Sequence, residues 1–226
     1  MMAMDIRFTP QLFAFFRELK ANNNREWFEL NKPRYLEDVR DPLLAFIAAI
    51  GPHLRDISPL LVADPKRSMF RIYRDVRFSK NKAPYKTHAS AYFFHQTVGK
   101  DGPGMYLHLD PEGCFMGVGF WQPDPATRTK ITNAIAAKPD EWGAIVREKE
   151  FRKLWKMEGE SMAKLPRQYD PAHPFADDLT RKDFIIVARF TEKQAGAKDF
   201  LDRIDRLAHS SGPYLGFVCR AIGLKW

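Results

Sequence analysis

The residues best suited to chemistry lie between Arg71 and His88. This stretch carries six cations, Arg71, Arg74, Arg77, Lys80, Lys82 and Lys86, against one carboxylate, Asp75, so eighteen residues supply +5 of a formal +8. Phe70, Ile72, Tyr73, Val76, Phe78 and Tyr85 are interleaved with them, and a disordered basic tail would lack such residues. A folded element therefore presents the cations. Two like charges ~5 Å apart repel by about 3 kcal/mol at an effective dielectric near 20, and by under ~1 kcal/mol in water. Such clustering is cheap when solvated or when an anion neutralises it. Arg71, Tyr73, Asp75 and Arg77 would share one face of a strand, where Asp75 orients one or two arginines and the others meet an anion bidentately. Lys82, Tyr85 and Lys86 follow in a loop stiffened by Pro84. Asp75, alone among cations, is expected to have a lowered pKa and to orient Arg74, Arg77 or a lysine from the following loop, in a pair partly buried beside Phe70, Ile72 and Phe78.

Other chemistries find less support. Gly117-Val-Gly119 lacks the third glycine of a dinucleotide fingerprint and reads as a bulge or a close approach in a strand. Walker A, G-x-S-x-G and HExxH patterns are missing. His88, His95 and His108 fall on or beside neighbouring predicted strands, but His88 and His95 are an odd number of residues apart, which sends them to opposite faces of an uninterrupted strand. No carboxylate cluster completes a ligand set, so neither a metal nor another cofactor is expected. The alternative for the cations themselves is a solvated sheet face whose charges pair with distant carboxylates.

The elements that must position this stretch are readable from periodicity. Thr9-Pro10 opens a helix bearing Leu12, Phe13, Phe16 and Leu19; Asn24 caps a second with Trp27 and Phe28. A third spans about 33–50, kinked or split at Pro42, with Tyr35, Val39, Leu43, Phe46, Ile47 and Ile50 on its buried side. The alternation from Phe70 to Tyr73 predicts a strand, followed by a loop over 79–84 and a second strand over 89–94. Segments 104–109 and 114–120 flank Asp110-Pro111-Glu112-Gly113, a type I turn that closes an antiparallel hairpin. Asp124-Pro125 and Pro139-Asp140-Glu141 start two amphipathic helices, and 164–174 reads as loop. A strand over 184–190 leads to the capping box Thr191-Glu-Lys-Gln194, which opens a helix with Phe200 and Ile204 that ends at Ser210-Ser211-Gly212-Pro213. A final helical segment covers 214–224. This order predicts an α+β fold, a mostly antiparallel sheet covered by helices, in a single domain over 1–226.

Composition sets the outer bounds. Hydrophobic residues make up 45%, with eighteen Phe and five Trp, ample for a core. Cys114 and Cys219 have no metal-type spacing and fit reduced thiols in a cytoplasmic protein. The N-terminal Met-Met-Ala-Met-Asp-Ile-Arg lacks an apolar signal core, and the longest apolar run, 43–50, falls far short of the ~20 residues of a membrane span. No membrane partner is expected.

Several blocks together resemble one family. They are Asn23-Asn24-Arg25-Glu26-Trp27-Phe28, Asn31-Lys32-Pro33-Arg34-Tyr35, Arg71-Ile-Tyr-Arg74-Asp75-Val-Arg77-Phe78-Ser79 with Lys82-Ala-Pro84-Tyr85-Lys86-Thr87, Tyr106-Leu-His-Leu, and Gly117-Val-Gly119-Phe-Trp121. The family is the bacterial and fungal one catalogued as domain of unknown function 2461. The resemblance spans nearly the whole chain and implies a single domain, with no activity, cofactor or catalytic residue to carry over. The leading expectation is a domain that binds a phosphate- or carboxylate-bearing small molecule through Arg71, Tyr73, Arg74, Asp75, Arg77, Lys82, Tyr85 and Lys86. Nucleic-acid binding by the same basic face, and an enzyme acting at the same site, are the alternatives.

Overall fold

A computed structural model describes residues 6–226, so most of the N-terminal stretch read for a signal core, residues 1–5, lies outside the described residues. The fold is α+β. Six antiparallel strands run in the order β1-β2-β3-β4-β6-β5: β1 Leu61–Val62, β2 Ala89–His95, β3 Gly99–Leu109, β4 Cys114–Phe120, β5 Lys156–Glu158 and β6 Phe184–Phe190. The predicted hairpin at 110–113 joins β3 to β4, and its register pairs His108 with Phe115 and Tyr106 with Gly117.

Alternation along these strands sorts the sheet into two faces. Ala91, Phe93, Met105, Leu107, Met116, Val118, Ile186 and Ala188 are buried toward the core. Over them pack α1 (Pro10–Ala21), α3 (Asp41–Ile57) and α9 (Phe200–Ala221), which contribute Phe13, Phe16, Phe46, Ile50, Ile204 and Leu215 to one contiguous cluster. The opposite face displays Ser90, Tyr92, Tyr106, His108, Phe115, Gly117, Ile185 and Val187, aligned by the same register. The remaining helices are α2 (Arg25–Arg34), α4 (Pro65–Ser68), α5 (Pro125–Ala137), α6 (Pro139–Val146), α7 (Lys149–Leu154) and α8 (Glu192–Ala195).

Local signals hold where they are local. The Asn24 side chain accepts from Trp27 N, Asp124 accepts from Ala126 N and Thr127 N, and Thr191 with Gln194 forms the capping box. Three expectations are corrected. First, the helix predicted over 33–50 does not start afresh at Pro33: α2 passes into a π-helical turn, Tyr35–Arg40, and on into α3, which runs through Pro52 to Ile57. The wider turn absorbs Pro42, which has no amide to donate. Second, Pro213 does not stop α9. Ser211, Gly212, Tyr214 and Leu215 are all buried there, and that packing outweighs a proline penalty of about 3 kcal/mol. The capping box opens only the short α8.

Third, no strand forms over 70–73. Phe70 N donates to Ser90 O at 3.0 Å, and Met69 bridges Ala91, but the chain then leaves the sheet edge and pairs with itself. Arg74 N donates to Pro84 O, Lys86 N donates to Ile72 O, and Tyr73 bridges Tyr85. A segment this rich in cations cannot be buried on both sides, so it forms a narrow ribbon that buries only Ile72 and Tyr85.

Candidate functional site

The face of the sheet away from the long helices holds a cavity of about 740 Å³. Its floor is β2, β3, β4 and β6, through Ser90, Tyr92, Tyr106, His108, Phe115, Gly117, Ile185 and Val187; Phe70, Lys86, His88, Lys100, Trp121 and Gln122 rise around it. Glycines make the room. A Cβ on Gly104 would come within 2.8 Å of the Tyr92 ring, so this glycine lets Tyr92 lie across the strand and donate to Gly102 O at 2.6 Å. Above Gly117 the nearest atom to a would-be Cβ is Phe115 Cε2 at 3.8 Å, which leaves open cavity. Gly119, at φ +125°, lets the backbone approach Phe184 O as no side chain could, which is the close approach expected of this glycine pair. The rim is fixed from below by buried Asp183, whose two carboxylate oxygens accept from Gln122 N and Glu160 N, each at 2.7 Å. Gln122 sits at φ 51°.

Cations converge at one side. The Lys86 and Lys100 ammonium groups lie 5.2 and 4.2 Å from the centroid of the same ring, Phe70, which meets Tyr106 edge-on. Burial lowers both lysine pKa values; Arg71 lowers that of Lys86 further, and Lys86 that of Lys100. Neither lysine forms an ion pair among the described residues. Beside them is a polar network: Tyr106 Oη lies 2.9 Å from His108 Nδ1, and the His88 and His108 rings are 4.3 Å apart. Burial, with His108 alongside, pushes the His88 imidazole down to about 4, and burial also lowers His108, so both are neutral near pH 7. Burial raises the Tyr106 phenol.

The residues predicted from sequence are not all gathered here. Lys86 alone of the eight lines this cavity. Tyr73, Arg74 and Tyr85 line a smaller one of about 320 Å³ with Arg25 and Glu29. Arg74 Nη1 donates to Ala83 O, and Lys82 Nζ to Val76 O, so both cations brace the ribbon. Arg71 is exposed. Asp75 takes Arg77 in a fork, Nε to Oδ1 at 3.0 Å and Nη2 to Oδ2 at 2.7 Å, and that guanidinium holds its carboxyl below the usual range, as the isolated charge implied. The pair is not buried beside Phe70, Ile72 and Phe78: the Asp75 and Arg77 side chains are 49% and 77% exposed, and Phe78 is 96% exposed at the ribbon tip. Sequence reasoning passed over Lys100, Tyr106, Ser90 and Asp110. The available signal was cross-strand: an even spacing puts Tyr106 and His108 on one face, and the hairpin at 110–113 sets their partners.

Neither a curated protein nor a solved structure matches the chain. No helix among the described residues is long and apolar enough to cross a membrane. Residues 11–217 match the family model described as "Conserved hypothetical protein (DUF2461)", and the chain, as its motifs implied, belongs to that family.

Proposed function

We propose that the chain binds a small organic anion, a phosphate or carboxylate on an aromatic or apolar body, in the sheet-face cavity. The observation that carries this reading is the convergence of Lys86 and Lys100, from different elements, over one Phe70 ring. Both ammonium groups are partly withdrawn from water and repel one another, and neither is ion-paired among the described residues, so a bound anion would relieve that repulsion. The cavity volume lies in the ~300–1,000 Å³ range of small-molecule sites, and Phe115, Tyr92 and Trp121 offer ring surface for the ligand body. The ribbon cations become an outer field that draws anions toward the mouth rather than the ligands themselves. Two free, buried cysteines fit work in a reducing cytoplasm.

Thermal shift and calorimetry with inorganic phosphate, phenyl phosphate and benzoate test the reading. Phenyl phosphate is expected to stabilise the protein more than phosphate does, and Lys100→Met to remove most of the gain. An equal response from Lys100→Met counts against the cavity.

A second reading has its own observation. Phe78 stands almost fully exposed beside Arg77, 5.9 Å from its guanidinium, on a ribbon that spreads its arginines instead of converging them. That arrangement suits stacking on single-stranded nucleic acid with cations on phosphates. Four phosphate contacts would give a log–log salt slope of about −3 on a single strand. Binding that ignores salt, or survives Phe78→Ala with Arg77→Ala, removes it. For the enzyme alternative, the cavity offers Tyr106, His88 and His108 as proton-transfer groups within reach of a bound ligand.

A further inference from the structure

We propose that His88, His108 and Asp110 form a binding site for a divalent transition-metal ion of the zinc class, opening onto the sheet-face cavity. One ligand atom from each residue lies within 4.8 Å of the other two. His108 Nε2 is 3.7 Å from Asp110 Oδ2, too far for a hydrogen bond. It is close to the separation of two donors on one ion: with tetrahedral bonds of about 2.0–2.1 Å, donor atoms sit about 3.4 Å apart. Small side-chain rotations close the remainder.

The three residues come from three places that the fold brings together: the chain entering β2, the end of β3, and the first position of the β3–β4 turn. Two of the ligand atoms are prearranged by what the rest of their group does. His108 Nδ1 meets Tyr106 Oη, leaving Nε2 as the nitrogen directed at Asp110. In the tautomer in which Nδ1 donates to the Tyr106 oxygen, Nε2 keeps its lone pair for an ion. Asp110 Oδ1 accepts Glu112 N at 2.8 Å, holding the carboxylate in the turn with Oδ2 free. The Phe115 ring, stacked on His108 at 4.7 Å, fixes the imidazole plane.

Two imidazoles and one carboxylate suit zinc or a neighbouring first-row ion. Three protein ligands leave further positions, and His88 and His108 both line the cavity, so an open position faces it and can hold water or an anion oxygen. The surface trio His53, Asp205 and His209 provides the contrast. Both imidazoles there approach the same Asp205 oxygen, at 3.0–3.3 Å but without hydrogen-bond geometry, and all three side chains are more exposed than those of His108 and Asp110.

The site does not depend on the anion reading, and the test keeps them apart. Zinc chloride alone is titrated calorimetrically into chelator-treated full-length protein, with cobalt chloride absorption as a second readout; phosphate-induced thermal shift is recorded in parallel on the metal-free protein. One zinc per chain is expected. His108→Ala should weaken it by more than about 100-fold, and Tyr106→Phe by about 10–100-fold, through loss of the bond that orients His108. Asp110→Asn keeps an oxygen for Glu112 N, so the turn survives while the carboxylate is lost; it should weaken zinc and abolish the cobalt spectrum with an unchanged circular-dichroism melt. His209→Ala should leave the stoichiometry at one. No stoichiometric binding by the wild-type chain, or binding removed by His209→Ala and retained by Asp110→Asn, overturns the proposal.

Discussion

Tyr85 lies flat on Phe28, ring centroids 4.1 Å apart and planes 20° from parallel. Asn23 closes the same junction by bonding the Tyr85 backbone in both directions, Nδ2 to O at 2.9 Å and Tyr85 N to Oδ1 at 3.0 Å. The basic ribbon is therefore hung on the start of α2, and the Asn23-to-Phe28 and Pro84-Tyr85 motifs serve as its anchor. Asn23→Ala removes two hydrogen bonds and strands two partly buried backbone groups, a loss of about 2–3 kcal/mol; Phe28→Ala should cost about 3–5 kcal/mol. Urea denaturation measures both. Losses under ~1 kcal/mol would mean that the ribbon holds itself.

Gly117 offers a way to fill the cavity without disturbing the sheet. Its would-be Cβ meets only Phe115 Cε2 at 3.8 Å, and its backbone is ordinary strand, so Gly117→Val fits the local preference for a β-branched residue. The variant should fold at least as stably as the wild type and lose its thermal response to phenyl phosphate. Single-stranded DNA binding, if the ribbon performs it, should be untouched. A Gly117→Val protein that keeps the small-anion response moves that site out of the cavity and onto the ribbon.

The same contrast explains which features were legible in the sequence. The β3–β4 hairpin, β6, and the caps at Asn24, Asp124 and Thr191 depend on neighbours a few residues away, and each forms where its pattern lies. The segment from Phe70 alternates like a strand, but strand formation needs a partner along its whole length, and β2 gives it one bridge before β1 takes that edge at His95 and Phe94. Helix α9 runs through Pro213 because burial on both sides of it outweighs a local penalty. Testing His88 against His95 on one strand concealed its real neighbour, His108, which lies across a register that no single segment encodes.

Lys100 gives the site a pH signature. Burial, then Lys86 and Arg67, lower its folded pKa below the ordinary lysine value. Between that folded value and the unfolded one near 10.5, the unfolded chain binds the extra proton, so stability from this group rises with pH through that window and is lowest at neutral pH. Anion binding runs the other way, since it needs the ammonium form. The phosphate-induced thermal shift should therefore shrink as pH climbs, starting below the range where an ordinary lysine deprotonates. Lys100→Arg, charged throughout, should keep its response to higher pH. Parallel pH profiles for the two proteins would exclude Lys100 as the titrating cation.

Asp183 is a buried carboxylate whose role is positional. It is 3% exposed, and its two oxygens take the amides of Gln122 and Glu160, joining the cavity rim after β4 to the chain leaving β5. The neighbouring Gly159, at φ +97°, has no room for a Cβ, which would lie 2.4 Å from Asp183 Cβ. Asp183→Asn retains the size of the side chain but turns one end into a donor facing a backbone N–H, so one amide is left unsatisfied and the other bond loses its charge. Charge-assisted bonds of this kind contribute about 1.5–3 kcal/mol, so the variant should lose about 3 kcal/mol in urea denaturation. Its second effect should be local: amide exchange at Trp121 and Gln122 should rise more than in β2 or β3, because the positive φ of Gln122 is held by this carboxylate. Uniform exchange across the sheet would assign Asp183 to global stability alone. Faster exchange confined to the rim, with weaker phenyl phosphate binding, would make it the residue that keeps the cavity mouth in shape.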